Sequence, residues 1–305
     1  MAEQKIAVVT GGNKGIGFEI CKQLTSQGVT VVLTARDEKK GNEALEKLLK
    51  DSGISDKNVI FHQLDVMNPD SIASLVEFIK SKFGKLDILV NNAGVIGLEV
   101  EGDATILREI ISGDEFRVHG KEAPKIKSDG KIIQTYEMAE ECLETNYYGV
   151  KRMTEAFIPL LQSSALPRIV NLSSFLGKLL LISNEWAQGV LSDGENLTEE
   201  RVDEVVAQFL KDFKDGSAQT KGWPTAFTPY KVSKAALNGY TRVLSKKYPD
   251  FCINCVCPGY CKTDINCNTG FLTSAVGAEG PVMLVLLPSG GPSGSYFLRK
   301  EVTTF

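Results

Sequence analysis

Short apolar runs punctuate this chain, and helical patterns separate them. Lys5-Ile-Ala-Val-Val-Thr10 reads as a buried strand, followed by a helical pattern from Phe18 through Leu24. Val29-Thr-Val-Val-Leu-Thr34, Asn58-Val-Ile-Phe-His-Gln-Leu64 and Leu86-Asp-Ile-Leu-Val90 read as the next three strands. A helix is expected after Asp37 and another near Pro69. The second half continues in the same way: a helix containing Glu144-Thr-Asn-Tyr-Tyr-Gly149, a buried strand Arg168-Ile-Val-Asn-Leu172, a helix around Tyr230, and a strand Cys252-Ile-Asn-Cys-Val-Cys257. The glycine turn Gly290-Gly-Pro-Ser-Gly294 then leads into a last edge strand, Ser295-Tyr-Phe-Leu298. Such alternation predicts an α/β fold with a doubly wound parallel sheet, as a single domain over 1–305.

Two stretches interrupt the alternation. The first, about 97–135, is polar and irregular except for an amphipathic segment, Ala104-Thr-Ile-Leu-Arg-Glu-Ile-Ile111. Loops of that length in a compact domain are usually functional or disordered. The second, about 178–222, carries a clear helix. Thr198 is the expected N-cap, Glu199 and Glu200 suit the first turn, and Val202, Val205, Val206, Phe209, Leu210 and Phe213 form one apolar stripe. That stripe is expected to pack on the body of the domain.

Composition excludes more than it identifies. The 305 residues are 43% hydrophobic with a net charge of −4, enough for one sizeable core. No basic block with interleaved aromatics points to nucleic acid. No apolar run approaches the ~20 residues of a membrane helix. Met1-Ala-Glu-Gln-Lys5 leads directly into a strand, so we expect no secretory leader and a cytoplasmic protein. The seven cysteines lack metal-ligand spacing and are expected to be reduced thiols, with no metal bound.

Chemistry begins at the first strand's end. Gly11-Gly-Asn-Lys-Gly-Ile-Gly17 is a glycine-rich turn between strand and helix, where backbone N–H groups can approach a diphosphate. Asn13, Lys14 and Ile16 lie within it. The second strand ends in Ala35-Arg36-Asp37. A carboxylate at such an end reads the 2′-hydroxyl of NAD, whereas a cation accommodates the 2′-phosphate of NADP. Arg36 and Lys14 favour NADPH, and Asp37 is assigned to the start of the following helix. Asp65, with Val66, either accepts from the adenine amino group or caps the helix near Pro69. His62, mid-strand, is expected to be packed. Asn91-Asn-Ala93-Gly94 forms a second small-residue turn at a strand's carboxyl end.

The strongest chemical signal joins Asn171-Leu-Ser-Ser174 to Tyr230-Lys-Val-Ser-Lys234. Tyr230 and Lys234 are four apart and share one helix face. An ammonium beside a phenol favours the phenolate. A phenol so tuned, next to a serine hydroxyl, can protonate a carbonyl oxygen or deprotonate an alcohol.

Thr10-Gly-Gly-Asn-Lys-Gly-Ile-Gly17, Asn91-Asn-Ala-Gly94, Asn146, Ser174, Tyr230/Lys234 and Pro258-Gly259 occur in that order. As a set they closely resemble the short-chain dehydrogenase/reductase family, with its Rossmann fold. The insertion before Tyr230 looks like the monomeric carbonyl-reductase branch. The stretch between Gly94 and Asn146 and the Gly-Gly-Pro-Ser-Gly tail look like the plant salutaridine-reductase and menthone/neomenthol-reductase subgroup, in which that stretch caps the active site. The resemblance implies Tyr230 as general acid and Ser174, rather than Ser173, on the carbonyl oxygen. It implies Lys234 on the nicotinamide ribose and lowering the tyrosine pKa, and Asn146 orienting a water in the proton relay. Gly11, Gly15, Gly17, Asn91, Ala93, Gly94, Pro258, Gly259 and Thr263 join the cofactor site by the same resemblance.

The expected activity is NADPH-dependent reduction of a bulky hydrophobic ketone, a terpenoid or an alkaloid. Val95, Ile96, Leu98, Phe175, Leu179 and Tyr260 are the expected substrate contacts. By resemblance the chain acts as a monomer, its second insertion covering the face that other members use to oligomerise. Reduction of a conjugated C=C bond, or a redox-neutral cyclisation, is the alternative on the same scaffold. Members that reduce C=C bonds can carry another residue where this chain has Tyr230. A non-catalytic NADPH sensor is the alternative from another class.

Overall fold

The computed structural model describes residues 4–52 and 58–305, with the side chains of Asp51 and Ser52 left aside. Met1-Ala-Glu3 lies outside the described residues. The first half winds β1 (Ile6–Val9), α1 (Gly15–Ser26), β2 (Thr30–Ala35), α2 (Glu38–Ser52), β3 (Val59–Gln63), α3 (Pro69–Phe83) and β4 (Ile88–Asn91). The first insertion supplies β5 (Glu99–Glu101), α4 (Thr105–Val118) and β6 (Lys131–Ile133). Then come α5 (Tyr136–Leu143), α6 (Gly149–Leu161) and β7 (Arg168–Leu172). The second insertion holds α7 (Glu185–Ser192) and α8 (Glu199–Lys214). The chain ends with α9 (Thr228–Lys247), β8 (Cys252–Cys257), α10 (Ser274–Val285), β9 (Tyr296–Leu298) and β10 (Glu301–Thr303).

Eight strands form one sheet in the order β10-β9-β8-β7-β4-β1-β2-β3. Every neighbouring pair is parallel except β9 and β10. The expected final strand is therefore not the edge. After Leu298 the chain turns back through Arg299, which takes φ 59°, and β10 pairs antiparallel outside it. The winding reverses between β1 and β4. Open α/β sheets bind ligands in the crevice that such a reversal opens at the strands' carboxyl ends.

Both sheet faces are covered, which is why the strands carry apolar residues at successive positions. One layer packs Leu75, Phe157, Val206 and Tyr240 together, and the other packs Ile20, Leu24, Leu48 and Val282. The capping of α3 corrects one expectation. Asn68 accepts the N–H groups of Asp70 and Ser71, Pro69 opens the helix and Gly84 closes it in the left-handed region. Asp65 is thus not the cap. Its Oδ1 accepts the Met67 N–H at 2.9 Å.

The insertions differ in kind. The first is more ordered than its polar sequence suggested. β5 and β6 make an antiparallel ribbon, α4 runs seven residues beyond Ile111, and Leu98, Ile106, Leu107, Leu181 and Phe227 form a separate small core beneath them. The second behaves as expected. Thr198 accepts the Arg201 N–H, and Val202, Val205, Val206 and Phe209 are buried. Buried Asp212 accepts from Trp223 Nε1 at 2.9 Å and Lys221 Nζ at 2.6 Å, which ties the insertion's end back to α8. Among the described residues, no helix is long and apolar enough to cross a membrane.

Candidate active site

The cofactor half is a backbone construction. Gly11 and Gly15 take φ 63° and 57°, a region that side chains disfavour. A Cβ on Gly17 would lie 2.3 Å from the Gly11 carbonyl oxygen and 2.4 Å from Asn92 Nδ2, so this position must stay bare. α1 follows with Lys14 at its N-cap, no side-chain cap and no acid in its first turn. Its first N–H groups are therefore free to face an anion, and the helix dipole favours one. The second turn clasps the first. Asn92 donates through Nδ2 to Thr10 O at 2.8 Å and Gly11 O at 3.0 Å, and Thr10 Oγ1 accepts the Asn92 and Ala93 N–H groups at 2.9 Å each.

These turns wall a cleft of about 550 Å³. Gly11, Asn13, Lys14, Gly15, Ile16, Gly17, Arg36, Asp65, Val66, Ala93, Gly94, Tyr230, Lys234, Pro258 and Thr263 all line it. Asn91 does not. Its side chain points into the sheet, 2% exposed, and donates to Asn171 Oδ1 at 2.8 Å. The clasping residue is its neighbour Asn92, because successive side chains leave a strand on opposite faces. Gly259 lines the neighbouring cavity instead. At the cleft's far end stand two exposed cations. Lys14 Nζ lies 2.8 Å from Asp264 Oδ2, and Arg36 Nη1 lies 3.7 Å from Glu141 Oε1. Asp37 accepts the Lys40 N–H and starts α2, as expected. The bare glycine cradle, the uncapped helix end and the paired cations fit a dinucleotide with a further phosphate.

The candidate reacting groups converge from three elements. α9 brings Tyr230 and Lys234 to one face in its first two turns. Lys234 is 5% exposed, donates to Leu172 O at 2.8 Å, and has Nζ 5.5 Å from the Tyr230 ring centre. Burial lowers the lysine pKa to about 8. Burial also dominates at the phenol and pushes it above its ordinary value, while a hydrogen bond with the Ser174 hydroxyl draws it down. The direction is set by burial of the phenol and not by the neighbouring ammonium. The serine pair separates cleanly. Ser173 is buried and donates to Asn238 Oδ1 at 2.5 Å, whereas half-buried Ser174 accepts the Leu176 N–H at 3.1 Å and lines the cavity beside Tyr230.

Asn146 sits in a π-turn, Glu144–Tyr148, that joins α5 to α6. Wide turns of this kind interrupt helices most often at functional sites. The fully buried Asn146 amide accepts the Val95 N–H at 2.9 Å and donates to Val95 O at 2.8 Å and Ser233 Oγ at 3.1 Å. Its side chain therefore fixes the backbone that follows Gly94.

Beside the cleft opens a second cavity of about 470 Å³. Ile96, Phe175 and Tyr260 line it, as expected. Val95 faces the cofactor cleft instead. Leu98, in the small core under the first insertion, and Leu179, against the main core, are not among the residues that line the second cavity. The sequence reading missed one whole wall, formed by Ile111, Glu115, Phe116 and His119 of α4 and the loop after it. The amphipathic pattern was visible only to Ile111, since Ser112-Gly113-Asp114-Glu115 dilutes it. Ser173, Tyr230, Pro258 and Thr263 line both spaces and form the seam between them.

A doubly wound sheet with this cradle, Tyr230 at the seam, Lys234 in the cleft and Ser174 in the cavity is an arrangement that suits a dinucleotide-dependent oxidoreductase. Comparison with known proteins agrees. The short chain dehydrogenase pattern matches residues 5–110. (+)-Neomenthol dehydrogenase of Capsicum annuum is 60% identical over 309 residues, covering 99% of this chain and 98% of its own. The solved menthone neomenthol reductase from Mentha piperita superposes with a TM-score of 0.88 at 54% identity, covering 98% of this chain and 100% of that one. Salutaridine reductase from Papaver somniferum gives 0.84 at 52% identity, with 97% and 99% covered. The chain belongs to the short-chain dehydrogenase/reductase family and is an oxidoreductase of that family, whose members use a nicotinamide cofactor.

Proposed function

We propose that residues 1–305 work as one NADP-binding reductase domain. It reduces the ketone of a bulky hydrophobic terpenoid or alkaloid to the secondary alcohol, and catalyses the reverse oxidation. One observation carries this reading: Tyr230 lies on the wall shared by the apolar cavity and the cofactor cleft. The relatives' names, which speak of menthone, neomenthol and salutaridine, support the substrate class.

When bound, the reduced nicotinamide supplies a hydride to the carbonyl carbon. Tyr230 gives the proton to the carbonyl oxygen, and burial keeps that proton on the phenol until it is needed. Ser174 orients the oxygen. Lys234, still largely cationic at neutral pH, binds the ribose and stabilises the phenolate once the proton has left. Asn146 serves the relay by fixing the turn beside Lys234, since its amide is taken up by Val95 and Ser233. Lys14 and Arg36 favour NADPH over NADH.

The test is NADPH oxidation with product identification against cyclic terpenoid and alkaloid ketones and their α,β-unsaturated counterparts. An alcohol product is expected. A saturated ketone would move the assignment to C=C reduction. Binding of NADPH without oxidation of any ketone would overturn the reductase reading.

A further inference from the structure

Asp114 stands on α4 among residues that face the substrate cavity, yet it does not face that way. It is 1% exposed, and its Oδ2 lies 2.8 Å from Lys231 Nζ, whose side chain is 6% exposed. Its Oδ1 accepts from Arg117 Nη1 at 2.8 Å. Lys231 is the residue after Tyr230. A buried ion pair therefore joins the cavity's missed wall to the turn of α9 that presents the phenol.

Two further contacts act at the same place. Phe227, the N-cap residue of α9, has φ 54° and offers no side-chain cap. The orphan N–H of Thr228 donates instead to Gln134 Oε1 at 2.9 Å, from just beyond β6 of the insertion. Phe227 itself is fully buried in the insertion's own small core. The insertion thus both caps α9 and seats its N-cap residue.

A buried ion pair adds little net stability, because desolvation of both charges cancels most of their attraction. Breaking one by removing a single partner is costly, and the best-attested use of such pairs is to fix register. We propose that Asp114 is a positioning residue: through Lys231 it sets the α4 wall, with Ile111 and Phe116, at a fixed distance from Tyr230 and so determines which bulky ketones bind. The proposal rests on the reading of the cavity as the ketone site. Asp114 touches no reacting atom, and it acts on binding rather than on proton transfer.

The test is Asp114→Asn, assayed with a bulky cyclic ketone and a small aliphatic one, with NADPH affinity measured by fluorescence titration. KM for the bulky ketone should rise roughly tenfold or more. Its kcat, the small ketone's kinetics and the NADPH Kd should stay within about twofold. An unchanged KM in a folded variant overturns the proposal, and so does an equal fall in kcat for both ketones. If Asp114→Asn does not fold, Asp114→Asn with Lys231→Met removes the stranded ammonium, and the same comparison is read on that protein. If the wild type reduces no ketone, the proposed function fails while the clasp remains testable by amide hydrogen exchange. Asp114→Asn should then speed exchange along α4 and leave the middle of α9 protected; unchanged protection of α4 would overturn it.

Discussion

The two halves of the site are built from different materials. The cofactor half is made of backbone: glycines with no Cβ, an uncapped helix end, and two turns clasped through Thr10 and Asn92. The proposed substrate half is made of side chains, and one of its walls comes from an inserted segment that rests on its own small core and is held to α9 by Asp114, Gln134 and Phe227. A backbone cradle tolerates almost no change, because each approach is already at contact distance. A side-chain wall can be resurfaced while the helix beneath it stays put. On the proposed function, separating the two lets one fold keep a fixed hydride source while the ketone it accepts varies.

The seam should be the most sensitive point. Tyr230→Phe removes the proton donor and leaves the ring, so turnover should fall by about 10²–10⁴-fold, the usual worth of a general acid. NADPH affinity should change little, because the cradle is untouched. Steady-state kinetics with a parallel fluorescence titration would read both numbers. Retained turnover would sink the assignment of Tyr230 and merge the two halves into one undivided pocket.

Next in size is a change inside the cradle. Gly17→Ala puts a methyl 2.3 Å from the Gly11 oxygen and 2.4 Å from Asn92 Nδ2. Overpacking of this kind costs about 1–3 kcal/mol, so NADPH Kd should rise ~10–100-fold. A ketone's KM, measured at saturating NADPH, should move far less. If both constants rise together, the contrast between the halves fails.

That contrast also explains what could be read from the chain beforehand. The cradle was legible because backbone constraints leave a residue signature: Gly11, Gly15 and Gly17 can hardly be anything else. The proposed catalytic set stands out in the chain because its chemistry demands particular side chains at a helical spacing. Asn91 was assigned to the cleft in place of Asn92 because two identical neighbours differ only in the strand face they occupy, and sequence does not give that phase. The substrate wall was hidden for another reason. An apolar lining residue and a core residue follow the same pattern, so Leu98 and Leu179 read the same as Ile96 and Phe175. Ile111 and Phe116 line the cavity from a helix tied to α9 by a buried ion pair between residues 117 positions apart in the chain, Asp114 and Lys231. Spacing reveals the charge beside the phenol and not the burial that raises its pKa.

The cofactor half contains one side-chain element, and it should give the smallest effect. Lys14 and Arg36 stand where an NADPH 2′-phosphate would be read, and each already has a carboxylate partner, Asp264 and Glu141. Both pairs are exposed. Such pairs are weak, since water screens them and holding long side chains costs entropy. A phosphate dianion offers each cation a stronger charge-assisted bond and should displace the carboxylate readily. Arg36→Ala and Lys14→Ala should each raise the NADPH Kd about tenfold, with NADH nearly unaffected. Fluorescence titration of both cofactors at one ionic strength gives the ratio directly. If NADPH and NADH weaken equally, the cations serve the shared diphosphate. The cradle's backbone would then not suffice to hold that diphosphate, and the half built of backbone would prove to depend on its side chains after all.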